Sequence, residues 1–156
     1  MRVRSSGFFI LVFMGFMACD PNRFYENNVD FKSETWHKDS VAIFDVEIPD
    51  TFGVYNIYLN SRINGQYGYS NLYLFVTTLL PNEQIIRDTL ECILADVNGK
   101  WLGKGFGNIW SNKIPYRKYI RFPQKGKYTF YIEQAMREDE LKHILNAGIR
   151  IENAKK

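Results

Sequence analysis

From residue 41 onward, apolar and polar residues alternate with a period near two, which places successive side chains on opposite faces of a strand. "VAIFDVEI" (41–48) follows this spacing and stops at Pro49-Asp50-Thr51-Phe52-Gly53, so it predicts a strand and then a turn. "VYNIYLN" (54–60) is rich in β-branched and aromatic residues, and "NGQYG" (64–68) supplies turn chemistry after it. "NLYLFVTTLL" (71–80) has Leu72, Leu74 and Val76 on one face and Tyr73, Phe75 and Thr77 on the other. A strand with two apolar faces is expected in the middle of a sheet.

"QIIRDTLECILAD" (84–96) also fits a helical stripe, but its Thr, Ile and Cys content and the Asn98-Gly99 hairpin signal favour a strand. Gly103, Gly105 and Gly107 make the next segment a loop, bulge or edge, since each glycine in a helix costs about 1 kcal/mol relative to alanine. "KYIRF", "KYTFYIEQ" and "GIRIE" add further alternating runs. One helix is predicted, "MREDELKHILNAG", with acidic residues early, Lys142 and His143 late, and Gly148 as its C-cap. The expected fold is therefore all-β: an antiparallel β-sandwich, the jelly roll being one such arrangement, with one short C-terminal helix.

The first thirty residues break this pattern. Gly7 to Ala18 is an apolar run of 12 residues preceded by Arg2 and Arg4. That is too short to cross a bilayer, which takes roughly 20 residues, and it has the layout of a secretory signal. Phe16-Met17-Ala18-Cys19 resembles the lipobox of bacterial lipoproteins, although Phe16 and Met17 are bulkier than its usual small residues. The resemblance implies that residues 1–18 are removed and that Cys19 becomes an N-terminus acylated on sulfur and amine by chains such as palmitate. The polar stretch that follows predicts a tether over 19–30, with the β-sandwich domain over 31–156.

Removing the signal takes Arg2 and Arg4 with it, leaving 18 Lys+Arg against 17 Asp+Glu, so the remaining body carries a formal charge of +1. No basic run supports nucleic-acid binding. The cluster Tyr116-Arg117-Lys118-Tyr119-Ile120-Arg121 reads as the wet face of a strand, with a phosphate or lipid-headgroup contact as its functional alternative. With Cys19 lipidated, Cys92 is the only thiol left, and its apolar setting marks it as a buried structural residue.

Two histidines, His37 and His143, are too few for a three-His zinc site, and neither has a cysteine near it in sequence, so no metal and no cofactor is expected. His37, Asp39 and Ser40 are neighbours in sequence without a nucleophile-elbow pattern. Asp45 and Glu47 lie two apart, as on a solvated strand face. The one compositional excess is aromatic, at 16%. Trp36, Trp101 and Trp110 are therefore the candidates for stacking on a glycan or docking a partner, set against the simpler reading that they fill the core.

The segments "TWHKDSVAIFDVEIPD", "YNIYLNSRINGQYGYSNLYLFVTT", "GKWLGKGFGNIW" and "GKYTFYIEQAMREDELKHILNAGIRIE", together with the lipobox cysteine, resemble the gliding motility lipoprotein GldH family over Cys19 to Glu152. The resemblance implies a non-enzymatic cell-envelope lipoprotein associated with machinery that exports and moves adhesins, occurring also in cells that do not glide. It implies a membrane contact through the N-terminal lipid and envelope protein partners, and it carries over only Cys19 as a functional position. Asp20-Pro21-Asn22-Arg23 lacks an acidic export run, so the expected site is the outer membrane, facing the periplasm. The alternative reading is a glycan- or peptidoglycan-binding β-sandwich module.

Overall fold

A computed structural model describes residues 20–154; residues 1–18, expected to be a signal, and Cys19 lie outside the described residues. Eleven strands follow in order: β1 (Arg23–Asp30), β2 (Thr35–His37), β3 (Ala42–Ile48), β4 (Tyr55–Asn64), β5 (Asn71–Leu79), β6 (Ile85–Ile93), β7 (Lys104–Phe106), β8 (Ile109–Ile120), β9 (Gly126–Gln134), β10 (Glu140–Lys142) and β11 (Ile144–Asn153). Their pairing is nested. β5 pairs with β6 across the Pro81-Asn82 turn, β4 with β8, β3 with β9, β2 with β10 and β1 with β11, all antiparallel. The chain is thus one long hairpin folded over on itself.

Two further pairings, β11 with β4 and β5 with β9, join these pairs sideways. The result is a five-stranded sheet ordered β1-β11-β4-β8-β7, a four-stranded sheet ordered β3-β9-β5-β6, and a small β10-β2 pair. Alternate residues of both larger sheets meet in one apolar core. Tyr55, Ile57, Leu59, Ile149 and Ile151 come from the first, and Phe44, Val46, Leu74, Val76, Phe130 and Ile132 from the second. The burial of β3 alternates strictly along its seven residues, as the period-two pattern requires.

β6 is a strand, and Cys92 within it is buried, its thiol pushed up to about 12 by desolvation. β7 is an edge strand, as the glycine-rich segment suggested. β5 is central, between β9 and β6, yet its second apolar face is open to solvent: Tyr73 is exposed and Phe75 half-buried.

Two expectations need correction. The helix over "MREDELKHILNAG" does not form; the segment is a turn, then β10, then the start of β11. The Gln134 side chain staples the turn, accepting the Met136 N–H at 2.8 Å and donating to the Glu138 carbonyl at 2.7 Å. His143 takes a left-handed conformation (φ 65°), so the chain restarts in a new direction at Ile144. From there Ile144, Ala147, Ile149 and Ile151 fill the core, and that burial overrides the local helical cues.

The second correction concerns the tether over 19–30, since Arg23–Asp30 is β1, hydrogen-bonded along β11. It looks like a linker because it is an edge strand with few aliphatics. Only Phe24, Tyr25 and Val29 reach the core, while Asn28 and Asp30 are exposed and Glu26 is half-buried on the outward face.

Gly148 marks how closely β1 and β11 approach. A methyl group there would fall 2.5 Å from the Asn27 carbonyl oxygen and closer still to the Asn28 side chain. Backbone cannot swing aside as a flexible side chain can. Gly148→Ala is expected to destabilise the fold by about 2 kcal/mol, in the range of core overpacking. Equilibrium denaturation checks this; an unchanged midpoint would show that β1 is free to shift.

Candidate functional site

The outward face of the five-stranded sheet is polar, because every second residue of its strands must point away from the core. Glu26 and Asn28 on β1, Asn60 and Arg62 on β4, Ser111 and Lys113 on β8, and Arg150 and Glu152 on β11 line it. With Gly103 and Lys104 along one side they enclose an open groove of about 530 Å³.

At its centre Arg150 holds three carboxylates. Its Nη1 donates to Glu26 at 2.6 Å, its Nε to Glu152 at 2.6 Å, and its Nη2 to Asp20. Lys113 approaches Glu152 from the other side at 2.5 Å, with its ammonium 4.1 Å above the Tyr58 ring. Asn60 donates to Glu26 at 2.9 Å.

Burial alone would push the Arg150 guanidinium down, but hydrogen bonds to Glu152 and Asp20 and the charge of Glu26 more than offset this and raise it. Burial likewise opposes ionisation of Glu152, and Lys113 and Arg150 win, holding its carboxyl below the ordinary range. Asp20 is lowered by the Asn22 backbone N–H and by Arg150. A glycosidase acid needs a raised carboxyl, and these two are lowered. Arg62 and Lys104 carry their charge into the groove without a carboxylate partner among the described residues.

Trp36, Trp101 and Trp110 are not brought together as one platform. Trp36 is completely buried, stacked on Phe31 at 4.6 Å, and its indole N–H donates to the Ser40 carbonyl at 2.7 Å. Trp101 and Trp110 are neighbours, 6.2 Å apart but tilted by 46°, and both are half-buried against the core. None of the three lines the groove.

The other candidate chemistry is engaged locally. His37 Nδ1 accepts the Asp39 backbone N–H at 3.2 Å, and Asp45 is held by Lys127 at 2.8 Å and by the Thr129 hydroxyl at 2.7 Å. Among the described residues no group of three or more His, Cys, Asp and Glu is placed to hold a metal ion. The Arg150 cluster was missed in the sequence, although its signal lay in the polar half of the alternation, where only register shows which polar residues become neighbours.

Arg150 has a side chain 12% exposed and Glu152 one 14% exposed, so removing the guanidinium strands carboxylates in a poorly solvated place. Arg150→Gln is expected to lower stability by about 2 kcal/mol, below the 3 to 5 of a fully buried pair. A pH dependence follows with a definite sign. Asp20 and Glu152 have folded pKa values below their unfolded ones, so their contribution is complete above the ordinary values of 3.8 and 4.5 and is lost as pH falls through the depressed folded values. Thermal melts from pH 7 to pH 3 should show a steep acid limb in the native chain and a shallower one in Arg150→Gln. Equal slopes would remove the cluster as the cause.

Comparison with known proteins places this architecture. The family model described as GldH lipoprotein matches residues 23–151, the whole span from β1 into β11. The gliding motility lipoprotein GldH homolog of Christiangramia forsetii is 38% identical over 154 residues, covering 94% of this chain and 93% of that relative. The gliding motility lipoprotein GldH of Flavobacterium johnsoniae is 36% identical over 161 residues, covering 97% of this chain and 98% of its own. No solved structure matches. On this evidence the chain belongs to the GldH lipoprotein family.

Proposed function

We propose that this protein is a non-enzymatic envelope lipoprotein, anchored through acylated Cys19 to the periplasmic side of the outer membrane, that docks onto an assembly serving gliding motility or the associated secretion. Similarity to gliding motility lipoproteins along nearly the whole chain is the observation that carries this reading. In it, residues 1–18 are the removed signal and Cys19 bears the lipid. The body is a jelly-roll sandwich, a reading supported by the nested strand order.

The docking surface in this reading is the outward face of the four-stranded sheet. Ile43 is 52% exposed and Tyr73 37%, beside half-buried Phe75 and Tyr131 and exposed Ile85. Arg87 lies over the Phe75 ring at 4.5 Å. Apolar side chains on a solvent-facing sheet surface, rimmed by charge, are characteristic of protein contacts.

Crosslinking and pull-down from membranes test the proposal, with native chain, Cys19→Ala and Ile43→Glu/Tyr73→Glu compared. Cys19→Ala should leave the membrane fraction. The double variant replaces solvent-facing residues, so it should stay folded and anchored while losing its crosslinked envelope partner. If the native chain captures no envelope protein, or the double variant captures the same set, the docking role falls.

A glycan-binding reading is favoured by one observation, the polar groove with unpaired Arg62 and Lys104 beside Asn60. It lacks the ring platform that sugar stacking uses, since Trp36 is buried. Cosedimentation with peptidoglycan that is abolished by Arg62→Ala would move the assignment to this reading.

A further inference from the structure

The chain is fixed in place as soon as it can be described. Asp20 is ion-paired to Arg150, the Asn22 carbonyl accepts the Asn153 N–H at 2.8 Å, and β1 begins at Arg23. Cys19 is the residue immediately before Asp20. Neighbouring Cα atoms are about 3.8 Å apart, so no length of free chain separates a lipid on Cys19 from the body.

The strand register shows what else stands at that end. Arg23 pairs with Glu152, Asn153 with Tyr55, and Tyr55 with Ile120. The β3–β4 and β8–β9 loops therefore leave from the same end as the chain start. Two large exposed rings stand at this end: Phe52 in the β3–β4 loop is 82% exposed, and Tyr119, next to last in β8, 72%.

Both rings are held outward by specific backbone bonds. The Asp50 side chain accepts the N–H of Phe52 at 2.8 Å and of Gly53 at 3.0 Å, forming an Asx turn with Phe52 at its tip. Asn56 accepts the Tyr119 N–H at 2.9 Å where the β4–β8 register slips, and Tyr119 sits at φ 53°, a strained value for a residue with a side chain.

Lys118 at the end of β8 and Arg121 and Lys125 in the β8–β9 loop are exposed at this same end and have no carboxylate partner among the described residues, whereas adjacent Arg117 is tied to Asp88 at 2.7 Å. Of the acidic groups at this end, Asp20 is paired and Asp50 is used by its turn, while Glu47 and Glu83 stand on the side of the four-stranded sheet without an ion pair among the described residues. Exposure alone would not choose this end, because Phe106 and Val97 are exposed at the opposite one. The position of the anchor chooses it.

We propose that this end of the body rests on the bilayer that holds the Cys19 lipid, with Phe52 and Tyr119 in the headgroup layer and Lys118, Arg121 and Lys125 against anionic lipid phosphates. The inference rests on the lipid anchor proposed above. Aromatic side chains favour the membrane interface, and each cation near an anionic surface adds about a fivefold preference. The strands then run away from the membrane, and the docking face stands upright above it.

The test uses the full lipidated protein in vesicles of phosphatidylethanolamine and phosphatidylglycerol that contain a brominated lipid. Phe52→Cys and Phe106→Cys are each labelled with an environment-sensitive fluorophore, native Cys92 being buried. The expected result is a blue-shifted label quenched by bromine at 52 and an unquenched, water-exposed label at 106. Lys118→Ser should lower the ratio of quenched to unquenched label at 52 by about fivefold at low salt. If the protein floats with the vesicles while neither label is quenched, or only 106 is, the orientation is overturned and the anchor stands. If native chain and Cys19→Ser float equally poorly, the anchor fails and this inference fails with it.

Discussion

The placement of β11 between β1 and β4 is the constraint on which the other features depend. Without it the nested hairpin would be an extended ribbon, with no second layer to bury Ile149 and Ile151 against. Long-range pairing of this kind comes late in chain closure, because the entropy of bringing distant segments together has to be met before their contacts form. The contacts that meet it are visible. Four inward apolar residues of β11 enter the core, and on the outward side Arg150 ties β11 to Glu26 on β1 and to Asp20 ahead of it. Gly148 permits the close approach that these bonds require.

That one strand also divides the surface into unlike faces. The five-stranded sheet turns outward a polar face whose charges are mostly paired to one another, an arrangement that holds strands in register and leaves few groups to offer a partner. The four-stranded sheet turns outward a face in which Ile43, Tyr73, Phe75 and Tyr131 have no covering layer. Among the described residues no further layer covers this apolar area, and the cost of leaving it in water is offset elsewhere in the core. The contrast between the two faces comes from which outward positions are polar, not from different backbone.

Much of this was legible in the sequence, and the failures have physical causes. β3, β5 and β9 were readable because burial on one face imposes a period of two, and β6 because its Thr, Ile and Cys content and the Asn98-Gly99 signal outweighed a helical stripe. The edge position of β7 followed from glycines, and the buried thiol of Cys92 from its apolar neighbours. β1 was hidden because an edge strand needs few apolar residues when its partner supplies the hydrogen bonds. The helix over 136–148 was wrongly expected because an acidic start, a basic end and a glycine fit a helix and a strand–turn–strand equally well. The choice was made by Trp36 opposite Leu141 and by the β11 core, which lie far away in sequence. Trp36 could not be told from a surface platform by composition, since only the fold shows its ring stacked on Phe31.

The same reasoning explains why an anchor and a long tether are alternatives in a body of this topology. A segment that pairs as the edge strand of the sheet cannot also be a flexible leash, since freeing it would break the β1–β11 ladder and the Arg150 cluster together. The first strand therefore couples residue 20 to β11, an interior strand of the five-stranded sheet. Next to β1 on β11, Asp20, Glu26 and Glu152 converge on one guanidinium. The ion cluster therefore closes the β1–β11 edge from the outward side, as Ile149 and Ile151 close it from the core.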